Sequence, residues 1–151
     1  MTMADFSLQA LHDEIENDPM ELGYKTGGVW KEDAVIVDLI NATTGPGAAS
    51  IMRKLIQPTE IWTSIPYSEY ENYGAAKREW LDTALELAGG SGIIDANDQV
   101  VYDNLIAVFP AGSEARANIL SKIQRVGSRA EVLWGEGKTV SISEVAHAAN
   151  L

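Results

Sequence analysis

Few side chains in this sequence are candidates for catalysis or metal binding. Its 151 residues include two histidines and no cysteine, so disulfides, thiolate metal sites and cysteine nucleophiles are excluded together. His12 and Glu16 stand one helical turn apart, the spacing of paired metal ligands. Two ligands do not make a site, and with Asp13 and Glu14 alongside them a solvated acidic face is the simpler reading. His147 stands near the C-terminus and reads as a solvated residue too. GPGAAS at 45–50 approaches G-x-G-x-x-G, in which glycines bring backbone amides up to a pyrophosphate. It carries Ser50 where the third glycine belongs, and no alternation of strands and helices follows, so a linker is expected. GGSG at 89–92 lacks the Lys and Ser/Thr of a phosphate loop and reads as a helix stop. No Ser-His-Asp, H-E-x-x-H or EF-hand spacing singles out any of the carboxylates. The expectation is therefore no catalytic residue, no cofactor and no metal.

Residues suited to protein contacts are plainer. IPYSEYENYG places Tyr67, Tyr70 and Tyr73 within seven residues, interleaved with Glu69 and Glu71. Rigid amphipathic rings of this kind are enriched at interfaces, although Tyr67 and Tyr70 covering Trp62 and Trp80 would explain them as well. The formal charge is −11, which argues against direct nucleic-acid binding, since that needs clustered Lys and Arg to displace counterions. The charge is uneven. Residues 1–24 hold six acids and no Lys or Arg, whereas 115–130 holds Arg116, Lys122, Arg125 and Arg129 with no acid. On a helix continuing through this stretch, Lys122, Arg125 and Arg129 fall within about 60° of one another. Tyr67, Tyr70, Tyr73, Lys122, Arg125 and Arg129 together form the candidate partner interface.

The elements that must position these residues read as helices. SEARANILSKIQRVG, Ser113 to Gly127, unites a Ser cap, Glu114 at the positive end of the dipole, an apolar stripe of Ala115, Ile119, Ile123 and Val126, and a terminal glycine. Ser7 caps a first helix carrying Leu8, Leu11 and Ile15 and ending by Asn17; Asp18-Pro19 reads as the start of one further turn through Leu22. VWKEDAVIVDLINA fits a helix by length and spacing, although AVIV alone favours a strand. IMRKLI, Ile51 to Ile56, is compatible with either. Pro58 and Pro66 open short helices, and Ala75 begins a longer one with Trp80, Leu81, Ala84 and Leu85 on its apolar face. Another follows with Asp95 or Asn97 as cap, burying Val101, Leu105, Val108 and Phe109. Ser128-Arg129-Ala130-Glu131 and Ser141-Ile142-Ser143-Glu144 both match the S-x-x-E capping box and should each start a short helix, the first burying Val132, Leu133 and Trp134.

Both ends also carry a resemblance. LQALHDEIENDPMELGY and SRAEVLWGEGKTVSISEVAHA, with FPAGSEARANIL between them, resemble small helical proteins encoded by tailed bacteriophages, with an EIxxDPxxxGY opening and an SRAExLxGxGxxVxxxEVAxA close. The chain departs from that pattern in the longer KTGGVWKEDAV connection and in Trp134. The resemblance implies a phage product of the virion or its assembly and transfers no active-site residue.

The expected fold is all-α: a single domain of short helices, with at most a minor extended piece at 51–56 and a Gly/Pro linker at 43–50 dividing a shorter N-terminal section, 1–44, from the main core. A hydrophobic content of 46% fits a globular chain. The start lacks a basic leader and no apolar run approaches the roughly 20 residues of a bilayer span, so a soluble, unprocessed protein of the virion or the bacterial host cytoplasm is expected. The function to test is non-enzymatic: virion structure or assembly through contacts with other phage proteins, including further copies of itself. The alternative is an acidic inhibitor or regulator of a host factor, with a DNA mimic as one form of it. The charge asymmetry further predicts that the N-terminal helix packs beside residues 115–130.

Overall fold

Ser7 accepts a hydrogen bond from the Ala10 amide and starts α1 (Leu8–Asn17), the first element of a computed structural model that describes residues 4–91 and 93–151, without the side chains of 87–91. The chain divides into two compact units, residues 1–51 with 126–151 and residues 52–125. The division differs from the expected linker at 43–50: the N-terminal section shares its unit with the C-terminal helices rather than standing apart from one main core.

In the first unit α1 ends at Asp18, whose left-handed backbone (φ 39°) stops the helix. No helical turn follows through Leu22. The Asp18 carboxylate instead accepts from the amides of Leu22, Gly23 and Tyr24 (2.7, 2.8 and 3.3 Å), turning the chain back so that the Tyr24 ring is fully buried. β1 (Lys25–Thr26) and β2 (Val29–Trp30) then form an antiparallel hairpin across Gly27 and Gly28, both at positive φ, as a two-residue primed turn requires. Val29 and Trp30, expected to open the next helix, are thus strand, and the helix itself starts later, as α2 (Asp33–Asn41), despite its β-branched residues. Ile36 and Ile40, four apart, are both completely buried, and that burial outweighs a propensity difference of a few tenths of a kcal/mol per residue. β3 (Ala49–Met52) follows the glycine-rich turn.

The two capping boxes form as written. Ser128 and Glu131 start α8 (Arg129–Trp134), and Ser141 and Glu144 start α9 (Ile142–Ala148). α8 buries Ala130 and Glu131, while Val132, Leu133 and Trp134 are half-buried. The second Glu131 oxygen accepts from the Gly137 amide, folding the loop after α8. α9 is the hub of this unit: α1 and α2 both pack on it, and α2 also meets α8. Leu11, Ile15, Tyr24, Ile36, Ile40, Val145 and Ala148 make the core. The Asn41 side chain donates to the Val140 carbonyl (2.8 Å) and accepts from its amide (2.9 Å), fixing the residue before the last capping box.

In the second unit α3 (Pro58–Trp62), α4 (Tyr67–Tyr70), α5 (Ala75–Ser91), α6 (Gln99–Val108) and α7 (Glu114–Ile123) surround Ile56, Ile61, Leu81, Phe109, Ala115, Ile119 and Ile123. α5 continues past the glycine at 89 where a stop was expected, and Gly92 lies outside the described residues. The cap of α6 is Asp98, which accepts from the Val100 and Val101 amides, rather than Asp95 or Asn97; Asp95 holds the preceding turn through the Asn97 amide.

The helix expected from Ser113 to Gly127 stops at Ile123. Gln124 is extended, and Gln124–Gly127 is a strand, β4, which with β3 makes a second two-stranded sheet. The chain is therefore mostly helical with two small sheets, not purely all-α. Val126, assigned to the apolar stripe, is 56% exposed. Gly127 is needed for space rather than for a left-handed stop: a Cβ there would sit 2.7 Å from Ile51 Cδ1. Among the described residues no helix is long and apolar enough to cross a membrane.

Candidate functional site

The tyrosine segment is built on α3 and α4. Pro58 sits at the first position of α3, and Gln57 with Glu60 closes a capping box there. Arg53 then grips Glu60 (Nη1 to Oε1, 2.8 Å) while donating to the Lys122 carbonyl (2.9 Å), and this guanidinium holds the Glu60 carboxyl below the usual carboxylate range. Pro66 opens α4 four residues on from Trp62, so Trp62 and Tyr70 meet edge to face with centroids 5.1 Å apart. From Tyr70 the rings run inward, to Tyr73 at 5.9 Å and on to Phe109 at 6.5 Å.

The three tyrosines therefore divide. Tyr67 is 77% exposed and projects from the surface beside the half-exposed Trp62. Tyr70 is half-buried, with Arg78 over its ring. Tyr73 is buried, with the Lys77 ammonium 4.0 Å from its centroid, and belongs to the core. Glu69 faces inward as well. Its carboxylate accepts from the Glu114 and Ala115 amides (2.7 and 3.2 Å), neutralising the positive end of α7 beside the Ser113 cap. The surface-facing part of this patch is a hollow of about 250 Å³ lined by Trp62, Thr63, Ile65, Tyr67 and Tyr70.

Tyr73 carries one anomaly. Its hydroxyl has no hydrogen-bond partner among the described residues, and burial, followed by the charge of Glu69, pushes its pKa up. Tyr73→Phe should therefore raise the urea-unfolding free energy by about 1 kcal/mol, because a desolvated unpaired hydroxyl is removed at almost constant ring volume. A loss of stability of the same size would show that the hydroxyl has a partner.

The basic half of the expected interface does not lie on one helix. Lys122 is exposed on α7, Arg125 is half-buried in β4, and Arg129 opens α8 in the other unit. The physical reason is the end of α7 at Ile123, which destroys the common helical phase. Arg129 is committed elsewhere: its guanidinium makes a bidentate pair with Glu14 (2.7 and 3.0 Å), with side chains only 13% and 7% exposed. Tyr24 Oη lies 3.5 Å from the same carboxylate, and its pKa is driven up by burial and then by the Glu14 charge. The N-terminal helix is docked through this pair to Arg129, within the stretch 115–130, while its apolar partner is α9.

His12 and Glu16 do not converge on a metal position. Glu16 accepts from Trp30 Nε1 and Lys25 Nζ, which hold its carboxyl low, and His12 lies against the Trp30 ring and Asp13. Among the described residues no group of three or more His, Cys, Asp or Glu side chains could hold a metal ion.

The feature that periodicity missed is an apolar cleft of about 370 Å³ between α5 and α6. Trp80, Leu81, Leu85, Leu105 and Val108 line it, with Asp95 and Asp98 at its edge. Sequence spacing marks all five apolar residues as core, yet Trp80 is 46% exposed and no residue of α6 is fully buried. The missed signal is a charge run: residues 79–109 contain no Lys, Arg or His. Comparison of the chain with protein-family models, with curated proteins and with solved structures returned no match.

Proposed function

We propose that the chain is a non-enzymatic structural or assembly protein of a tailed bacteriophage, working through contacts with other virion or assembly proteins and with further copies of itself. The observation that carries the protein-contact part is the exposure of large rings and apolar side chains in one unit: Tyr67 at 77%, Trp62 at 44% and Trp80 at 46%. A monomeric surface rarely keeps such residues grouped beside clefts without a use. The phage part rests on the resemblance of the two chain ends. In the structure those ends, with their DP turn and their two capping boxes, belong to one unit.

The charge of −11 favours a second reading, an acidic regulator that occupies a host factor's basic surface. Quantitative mass spectrometry of purified particles separates the two. A stoichiometric presence in virions or in assembly intermediates is the expected result. Absence from both, with recovery in a complex with a host protein, would overturn the structural reading in favour of the regulator.

A further inference from the structure

All of the residues lining the α5–α6 cleft fall between Trp80 and Phe109, inside the run that has no Lys, Arg or His. The same run, 79–109, contains six carboxylates: Glu79, Asp82, Glu86, Asp95, Asp98 and Asp103. The apolar surface does not end at the cleft. A neighbouring hollow shares Trp80 and Ala84 and adds Glu79, and another shares Leu85 and adds Asp82 and Glu86. Apolar surface thus extends around α5 between carboxylates. α5 has 17 residues, about 25 Å at 1.5 Å per residue, long enough to seat four to five turns of a partner helix.

We infer that this cleft is the docking groove for a basic amphipathic helix of a partner protein. The inference rests on the protein-contact reading above and names the chemistry of the partner. The apolar face of the helix fills the groove against Trp80, Leu85 and Leu105, and its Lys and Arg residues meet the carboxylates of both edges. Among the described residues Asp95 and Asp98 accept from backbone amides of their own turn and Glu86 makes no ion pair, so the edges are left for an incoming cation. Apolar anchors set the affinity, while the single-sign rim sets orientation and association rate. A second copy does not fit this description. Among the described residues the helices with a basic residue in the last turn, α7 and α9, already bury their apolar faces in their own units, Ala115, Ile119 and Ile123 in one and Val145 and Ala148 in the other.

The test titrates the full chain with a synthetic 18-residue Leu/Lys peptide whose leucines share one helical face, read by tryptophan fluorescence and calorimetry. Two controls are used: the same peptide with Glu for Lys, and a scrambled Leu/Lys peptide without an apolar face. Micromolar binding of the amphipathic basic peptide is expected, at least about tenfold tighter than either control. Raising the salt should weaken it. Trp80→Ala combined with Ile93→Ser, a second residue lining the cleft, and separately Asp82→Lys combined with Glu86→Lys, should each weaken binding about tenfold or more. The second pair lies on the exposed face of α5, and unchanged circular dichroism and melting verify the fold of both variants. Equal binding of the scrambled peptide, equal binding of the acidic peptide, no binding, or indifference to both variants would each overturn the groove. So would self-association abolished by Trp80→Ala, which would assign the groove to a second copy. Failure here with the protein present in virions removes only the groove, whereas groove binding without virion incorporation removes only the phage reading.

Discussion

Arg129→Met should cost the first unit about 3–5 kcal/mol, the loss expected when one partner of a buried ion pair is removed. The cause is the carboxylate left behind. Glu14 is buried, takes both of its strong hydrogen bonds from Arg129, and would keep only the long contact from Tyr24 Oη. The pair is geometrically tight: the Glu14 hydrogen bonds are the largest cause of a guanidinium pKa raised above its ordinary value. Urea titration followed through Trp30 and Trp134, the tryptophans of this unit, reads the loss. Glu14→Leu combined with Arg129→Met should recover most of it, since replacing both charges with apolar groups removes the stranded ion. A cost below about 1 kcal/mol for the single variant would place the pair in the class of solvated surface bridges.

Deletion of residues 1–17 should have a still larger effect and leave the first unit without a cooperative transition. α1 contributes Leu11 and Ile15, both at 0% exposure, to a core whose other buried members are Tyr24, Ile36, Ile40, Ala130, Val140, Val145 and Ala148. Truncating either aliphatic residue to Ala typically costs about 2–5 kcal/mol. Losing both, together with the Glu14 pair, comes to about 7–15 kcal/mol, as much as the roughly 5–15 kcal/mol that holds a domain folded. The expected readout is loss of the near-ultraviolet signal of Trp30 and Trp134, with Leu11→Ala and Ile15→Ala as graded intermediates. An unchanged melting curve and oligomeric state after deletion would show that α1 is a free arm.

Wherever a local hydrogen bond or a long stripe closes an element, the sequence by itself determined the outcome. Ser7, Ser113, Ser128 and Ser141 cap their helices because each side chain reaches the amide three residues ahead, which needs nothing from the rest of the molecule. Ala115, Ile119 and Ile123 likewise repeat often enough to fix a buried face. Tertiary structure decided the remainder. Ile123 to Gly127 satisfies helical spacing and a four-residue strand equally well, and only the presence of β3, with Ile51 standing where a Cβ of residue 127 would be, selects the strand. That choice ends the common helical phase on which the expected alignment of Lys122, Arg125 and Arg129 depended. Asp18 reads from sequence as the start of a further helical turn; its actual work, ending α1 and accepting three later amides, depends on the fold-back of Tyr24. The tyrosines look alike in sequence, yet Tyr67 faces outward and Tyr73 inward, because Pro66 and the Glu69 contact to α7 set the angle of α4. Composition gives the acidity of residues 79–109, and periodicity gives the apolar faces of α5 and α6. That those faces leave an open cleft between them is a property of packing, which no spacing rule along one helix contains.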